Sequence, residues 1–155
     1  MKQAVLVVDV QPSFDPPDWL VERSRLLATK FPSVATVERH DEDKVPFFRQ
    51  IGWKPRSVDE SLVQADHIVL KYGYSPPPEV IAQFQSWKVD RVLVCGIQAD
   101  TCVLAAGFAL FDAGLQPTII ADTVVGSSLD RSGKLGVDLW QHHFGQVIDR
   151  HSDIL

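Results

Sequence analysis

Three residue types that together activate a nucleophile recur at the ends of apolar runs in this chain. Cys102 lies within Val94 to Gly114, VCGIQADTCVLAAGFALFDAG, where a strand-like run ends, small and polar residues follow, and a helical pattern opens at Thr101 and Cys102. Asp9 follows the run AVLVV, and Lys71 follows HIVL. A carboxylate can accept a thiol proton, and a neighbouring ammonium favours the thiolate. A helix opening at the thiol adds its positive N-terminal dipole and unpaired backbone N–H groups, which lower a thiol pKa and can hold an oxyanion. A fourth run, VATV, is followed by Glu38 and His40. One carboxylate and one imidazole fall short of the three or four protein ligands of a usual metal site, so these two are only the weaker metal candidates and no cofactor is expected.

These residues matter only if the fold gathers them. The apolar, β-branched runs Ala4–Val8, Val34–Val37, His67–Leu70, Arg91–Cys95, Pro117–Ala121 and Gly145–Asp149 read as six strands. Helical stretches separate them at Trp19–Lys30, Pro78–Trp87, Thr101–Ala113 (ended by Gly114) and Leu129–His143. Continuous apolar strands alternating with helices imply βαβ units and a parallel sheet covered on both faces, an α/β/α three-layer sandwich. In such a sheet ligands bind outside the carboxyl ends of the strands, near the point where strand order reverses. Asp9, Glu38, His40, Lys71 and the Gly96–Cys102 turn all follow strands and would meet at that edge. The segment Arg39–Ala65 has no clear period and reads as a long loop with one short helix, of the kind that shapes a binding site.

Composition limits the partners. The 155 residues are 45% apolar, enough for one domain, 1–155, with a substantial core. No apolar run is long enough for a membrane span, and the start MKQAVLVVDVQ lacks the pattern of a cleavable leader, so the expected compartment is the cytoplasm. Two cysteines, Cys95 and Cys102, are too few for a disulfide framework. Net charge is −5 with the fifteen Lys and Arg scattered, which argues against nucleic acid and for a small-molecule partner.

Three ordered blocks resemble the isochorismatase-like cysteine hydrolases, a family that includes nicotinamidases and N-carbamoylsarcosine amidohydrolases. DVQPSF (Asp9–Phe14) is similar to D-x-Q-x-x-F, KYGYS (Lys71–Ser75) to K-x-x-Y-S, and GIQADTCV (Gly96–Val103) to G-[VI]-x-x-x-x-C-V. The resemblance implies a six-stranded parallel sheet in order 3-2-1-4-5-6 and a triad of Asp9, Lys71 and Cys102, with Cys102 as nucleophile. It also implies a cis peptide at Ile97–Gln98, an oxyanion hole from the Gln98 and Cys102 amides, and a homo-oligomer, dimer or tetramer. Gln11, Phe14, Ile97 and Tyr74, within those blocks, are the expected substrate contacts. The implied reaction is hydrolysis of a C–N bond in a small amide, carbamoyl or related metabolite through a thioester.

Departures from the family pattern bear on substrate and metal. Nicotinamidases of this family begin a metal site with D-x-H after strand two; here Glu38 replaces the Asp, and no further histidine follows His40 before His67. Ala99 stands where the family often has a hydroxyl residue, and SPPPEV follows Lys71–Tyr74 in place of the commoner small-then-aromatic continuation. Three other readings compete. A receiver-like signalling domain needs an aspartate after strand three, where this chain has Lys71. An isochorismatase-type vinyl-ether hydrolase often lacks the cysteine. A redox-sensing thiol usually needs a resolving partner, and Cys95, mid-strand between Val94 and Gly96, is expected to be core.

Overall fold

Every apolar run named above becomes a strand of one sheet in the computed structural model, which describes residues 1–155. The strands are β1 (Gln3–Val8), β2 (Ser33–Glu38), β3 (His67–Lys71), β4 (Arg91–Ile97), β5 (Thr118–Val125) and β6 (Val147–Ile148). All pairings are parallel, in the order β3-β2-β1-β4-β5-β6. Strand order reverses between β1 and β4, and the register aligns Val8 with both Thr36 and Gly96, and Glu38 with Lys71. The carboxyl ends of the four central and flanking strands therefore finish level.

The helices are α1 (Asp18–Lys30), α2 (Phe47–Ile51), α3 (Pro78–Ser86), α4 (Cys102–Asp112) and α5 (Lys134–Phe144). Strand side chains alternate between faces, and this splits the core in two. On one face Ala4, Leu6, Val8, Val92 and Val94 meet Val80 and Phe84 of α3, Val103, Ala106 and Leu110 of α4, and Trp140 of α5. On the other, Val5, Val7, Leu93 and Cys95 meet Leu20 and Leu27 of α1 and Val63 of the long loop. Fully burying one such aliphatic side chain contributes roughly 1.5–3 kcal/mol, so the two layers hold the sheet rigid beneath its functional edge.

The structure corrects the sequence expectations in three places. β3 is an edge strand with His67 and Ile68 exposed, and only its last residue, Lys71, is buried. β5 runs on past Ala121 to Val125, because an irregularity opposite Val94 and Gly96 lets the chain bulge and rejoin the ladder. α5 begins at Lys134, not Leu129: Gly133 sits at φ 84, and the Asp130 carboxylate accepts from Ser132 N and Oγ and from Leu135 N, which folds residues 130–133 into a turn.

Candidate active site

Asp9 leaves the end of β1 at φ 52, a left-handed conformation that aspartate tolerates better than most side chains. Its backbone N–H donates to Thr36 O at 3.2 Å. Its Oδ1 accepts from Thr36 Oγ1 at 2.8 Å, and its Oδ2 faces Lys71 Nζ at 2.9 Å. That ammonium also donates to Gly73 O at 2.6 Å and Tyr74 O at 3.3 Å. Glu38 Oε1 lies 3.8 Å from the same Nζ. Cys102 Sγ and oxygens of Asp9 and Glu38 all fall within 4.8 Å of one another, so the structure brings these three side chains together around Lys71.

The turn that presents Cys102 is built by close backbone approach. Gly96, at φ 125, lies so near β1 that a Cβ would collide with the Val8 backbone. The Ile97–Gln98 peptide is cis. Gln98 O accepts from Thr101 N and Val103 N, and Ala99 N donates to Val125 O at 2.9 Å, a bond that requires the extended β5. The Asp100 carboxylate accepts from Ser127 N at 2.8 Å and Ser127 Oγ at 2.5 Å. Gly136 of α5 packs against Ala99 where a Cβ would clash. The Gln98 and Cys102 amides donate no backbone hydrogen bond. That leaves two unbonded donors, Cys102 N in the first turn of α4 and Gln98 N in the turn that leads into it.

Burial sets the protonation states. It pushes the Cys102 thiol up, as does the Asp9 charge, against the opposing pull of Lys71. The sequence reading weighed the ammonium and the helix N-terminus, which pull the thiol the other way, and not its burial. Burial alone would lower Lys71, but Asp9 first, then Cys102 and Glu38, carry it above its ordinary value, so it stays an ammonium. Burial raises Glu38 to about 7, with Lys71 opposing. Cys95 is pushed up to about 12 by burial; its Sγ lies 3.8 Å from Leu6 O, in the core layer on the face opposite Cys102. It cannot serve as a resolving partner for Cys102 without rearranging the sheet.

Above these groups opens a pocket of about 270 Å³ lined by Phe14, Glu38, Trp53, Tyr74, Ile97, Gln98, Thr101 and Cys102. Phe47 of α2, itself buried, packs edge-on to Trp53 and Tyr74 with ring centroids 6.2 and 5.2 Å away. The long loop thereby supplies one aromatic wall. Of the expected contacts, Phe14, Tyr74 and Ile97 line this pocket, but Gln11 does not. It is fully buried, its Oε1 accepting from Glu38 N and its Nε2 donating to Glu38 O, both at 2.8 Å, and to Asp59 Oδ2. Gln11 fixes the backbone of Glu38. Asp59 also accepts from Ser13 N. The sequence reading missed Thr36 and Asp59; the only available signal for Thr36 was a lone hydroxyl in an apolar strand two residues before Glu38. A wider groove of about 880 Å³ lies beside β3, lined among others by Arg25, Arg39, Asp66 and Ile68, and shares no lining residue with the pocket at Cys102.

The metal candidates face different partners. Glu38 turns toward Lys71, whereas His40 Nε2 bonds Glu42 Oε1 at 2.7 Å. The cluster of Asp9, Glu38 and Cys102 has the right atom types, but the ammonium of Lys71 sits among them, where a cation would be repelled. The residues present do not fit the metal site of the nicotinamidases.

Fold and site together define a doubly wound parallel α/β protein with a buried Asp, Lys and Cys cluster at its switch point. The isochorismatase domain model matches residues 3–152, and the chain belongs to that family. Its structure is similar to that of an isochorismatase-like hydrolase from Alkaliphilus metalliredigens (TM-score 0.83, 15% identity, covering 99% of this chain and 97% of that one). It is also similar to a nicotinamidase/pyrazinamidase from Acinetobacter baumanii (TM-score 0.80, 20% identity, 99% and 98% covered) and to N-carbamoylsarcosine amidase from Thermoplasma acidophilum (0.79, 20%, 97% and 97%). Comparison with curated proteins finds no match. No helix is long and apolar enough to cross a membrane.

Proposed function

We propose that this protein is a cysteine hydrolase that cleaves a C–N bond of a small amide or carbamoyl compound. The observation that carries the reading is that Cys102 lines a small pocket together with Gln98, both with unbonded backbone amides, while the buried Asp9 carboxylate lies within 4.8 Å of Cys102 Sγ. Burial favours the neutral thiol, so proton removal and attack are coupled: Asp9 takes the thiol proton as Sγ bonds the substrate carbonyl carbon. The Gln98 and Cys102 N–H groups stabilise the oxyanion that forms. Asp9 then returns the proton to the leaving nitrogen, and the C–N bond breaks to give a thioester. Water, deprotonated by Asp9, attacks that thioester, and Cys102 is released as the thiol. Lys71 does not touch substrate. Its ammonium pairs with Asp9 and donates to the Gly73–Tyr74 turn, which holds the carboxylate beside Cys102.

Intact-mass spectrometry after rapid quench tests the covalent step. Wild type mixed with a slow amide substrate gains the acyl mass on the peptide containing Cys102, and Cys102→Ala gains nothing. A modified Cys102→Ala, or an acyl group on Cys95, would contradict the mechanism.

A further inference from the structure

The sheet carries an apolar strip that belongs to neither core layer. Val37 of β2 and Ile68 and Leu70 of β3 share one face, since the ladder sets Ala35 beside Ile68 and Val37 beside Leu70. Ala35 joins the layer that α1 closes on that face, but none of the other three does. β3 is the edge strand, and Ile68 is 48% exposed. The three side chains line the groove of about 880 Å³ together with residues of α1 and of the loop that precedes β3. That volume is in the range of small-molecule sites.

Two arginines line the same groove. Arg25 Nε donates to Leu62 O at 3.0 Å, and Arg39 Nε donates to Asp59 O at 2.8 Å, so the loop backbone already holds both side chains. Neither guanidinium forms an ion pair, and their terminal N–H groups make no hydrogen bond within the chain. Two acids line the groove as well. Asp66 Oδ2 is engaged by Ser33 N at 2.9 Å, and Glu60 is exposed and outside ion-pair distance of either arginine. A planar guanidinium fixed at Nε presents its remaining donors in a fork that matches a carboxylate.

We propose that this groove is a binding site for a small amphipathic carboxylate, whose charged end pairs with Arg25 and Arg39 and whose apolar body covers Val37, Ile68 and Leu70. Charge selects the head of the ligand, and the uncovered strip selects its body. The site is separate from the pocket at Cys102, with which it shares no lining residue, and it does not depend on the hydrolytic reading. Alternation along the chain explains the separation. Glu38 lines the Cys102 pocket, while Val37 and Arg39 on either side of it line the groove.

Two acids, 4-phenylbutyrate and octanoate, test this beside 4-phenylbutan-1-ol and octan-1-ol, uncharged counterparts with no C–N bond to cleave. Calorimetric Kd values are measured on the full-length wild type, on the double variant Arg25→Gln/Arg39→Gln and on Ile68→Ser, with circular dichroism checking that each is folded. At least one acid is expected to bind wild type with a Kd of about 1 mM or tighter, and about tenfold more tightly than its alcohol. The double variant is expected to lose that preference. Ile68→Ser changes an exposed side chain that anchors no loop, and it is expected to weaken the acid severalfold. No saturable binding by either acid, or equal binding of acid and alcohol, overturns the inference. An acid affinity unchanged in the double variant or in Ile68→Ser also overturns it, because the ligand then sits elsewhere, the Cys102 pocket included. Sedimentation velocity supplies the remaining arm: a wild-type dimer that Ile68→Ser dissociates would assign the groove to a second copy of the chain and overturn the inference too.

Discussion

Glu38 links the chemistry of the site to the stability of the protein. Its carboxyl ionises at 4.5 ordinarily and at about 7 when burial favours the neutral form. Between those values the unfolded chain has lost a proton that the folded chain keeps, so this residue's stabilising contribution is full below 4.5 and is lost as pH rises through 7. Glu38→Gln removes the effect. Urea unfolding of both proteins is therefore expected to show the variant gaining on wild type by ~3 kcal/mol between about pH 4.5 and 7.5, with no further change above. A constant difference across that range would mean that Glu38 is not held neutral by burial. Thr36 gives a second prediction at this scale. Thr36→Val deletes the hydroxyl that orients Asp9 Oδ1, leaves an apolar side chain of the same shape, and is expected to lower kcat about tenfold or more with little change in KM. An equal rise in KM would place Thr36 in substrate binding instead.

Among the elements, α5 acts on the catalytic turn from behind. Gly136 packs so closely on Ala99 that a methyl group there must displace the turn carrying Gln98 and Cys102, or displace the helix. Gly136→Ala is expected to destabilise the fold by about 1 to 3 kcal/mol, as overpacking does, despite alanine being the better helix former. Its kcat should fall by more than its melting temperature would suggest, because both proposed oxyanion donors move; normal turnover with an unchanged melting temperature would refute the contact. This pairing also explains why Ala99 suits its place: a larger residue would meet α5. The long loop has a comparable role, since α2 carries Phe47, which props Trp53 and Tyr74 against the pocket.

For the whole molecule, the parallel sheet and the gathering of Asp9, Lys71 and Cys102 at one edge were legible in the sequence, because continuous apolar runs ending in polar residues report parallel strands and their carboxyl ends directly; the strand order followed only from the family resemblance. What escaped was set by contacts distant in sequence. The bulge that extends β5 past Asp122 has no local signature, since an acid and a threonine look like a strand end until the ladder with β4 is known. The start of α5 depends on the Asp130 turn, and the burial of Lys71 on an otherwise half-exposed edge strand depends on Asp9 and Glu38, which lie 62 and 33 residues earlier. Gln11 occupies the expected family position but has a different role. Its amide is engaged by Glu38, a partner visible only once β1 and β2 are paired. The upward push on the thiol was missed for the same reason, since the burial that causes it exists only in the packed fold.

The most direct test of the proposed chemistry is ammonia release from a panel of small amides and carbamoylamines by wild type, Cys102→Ala and Cys95→Ala, assayed side by side. Wild type and Cys95→Ala are predicted to release ammonia at similar rates from at least one compound, while Cys102→Ala, equally folded, falls by about three orders of magnitude, the scale of losing a covalent nucleophile. Ammonia release by Cys102→Ala at the wild-type rate would contradict the central claim that this thiol performs the reaction.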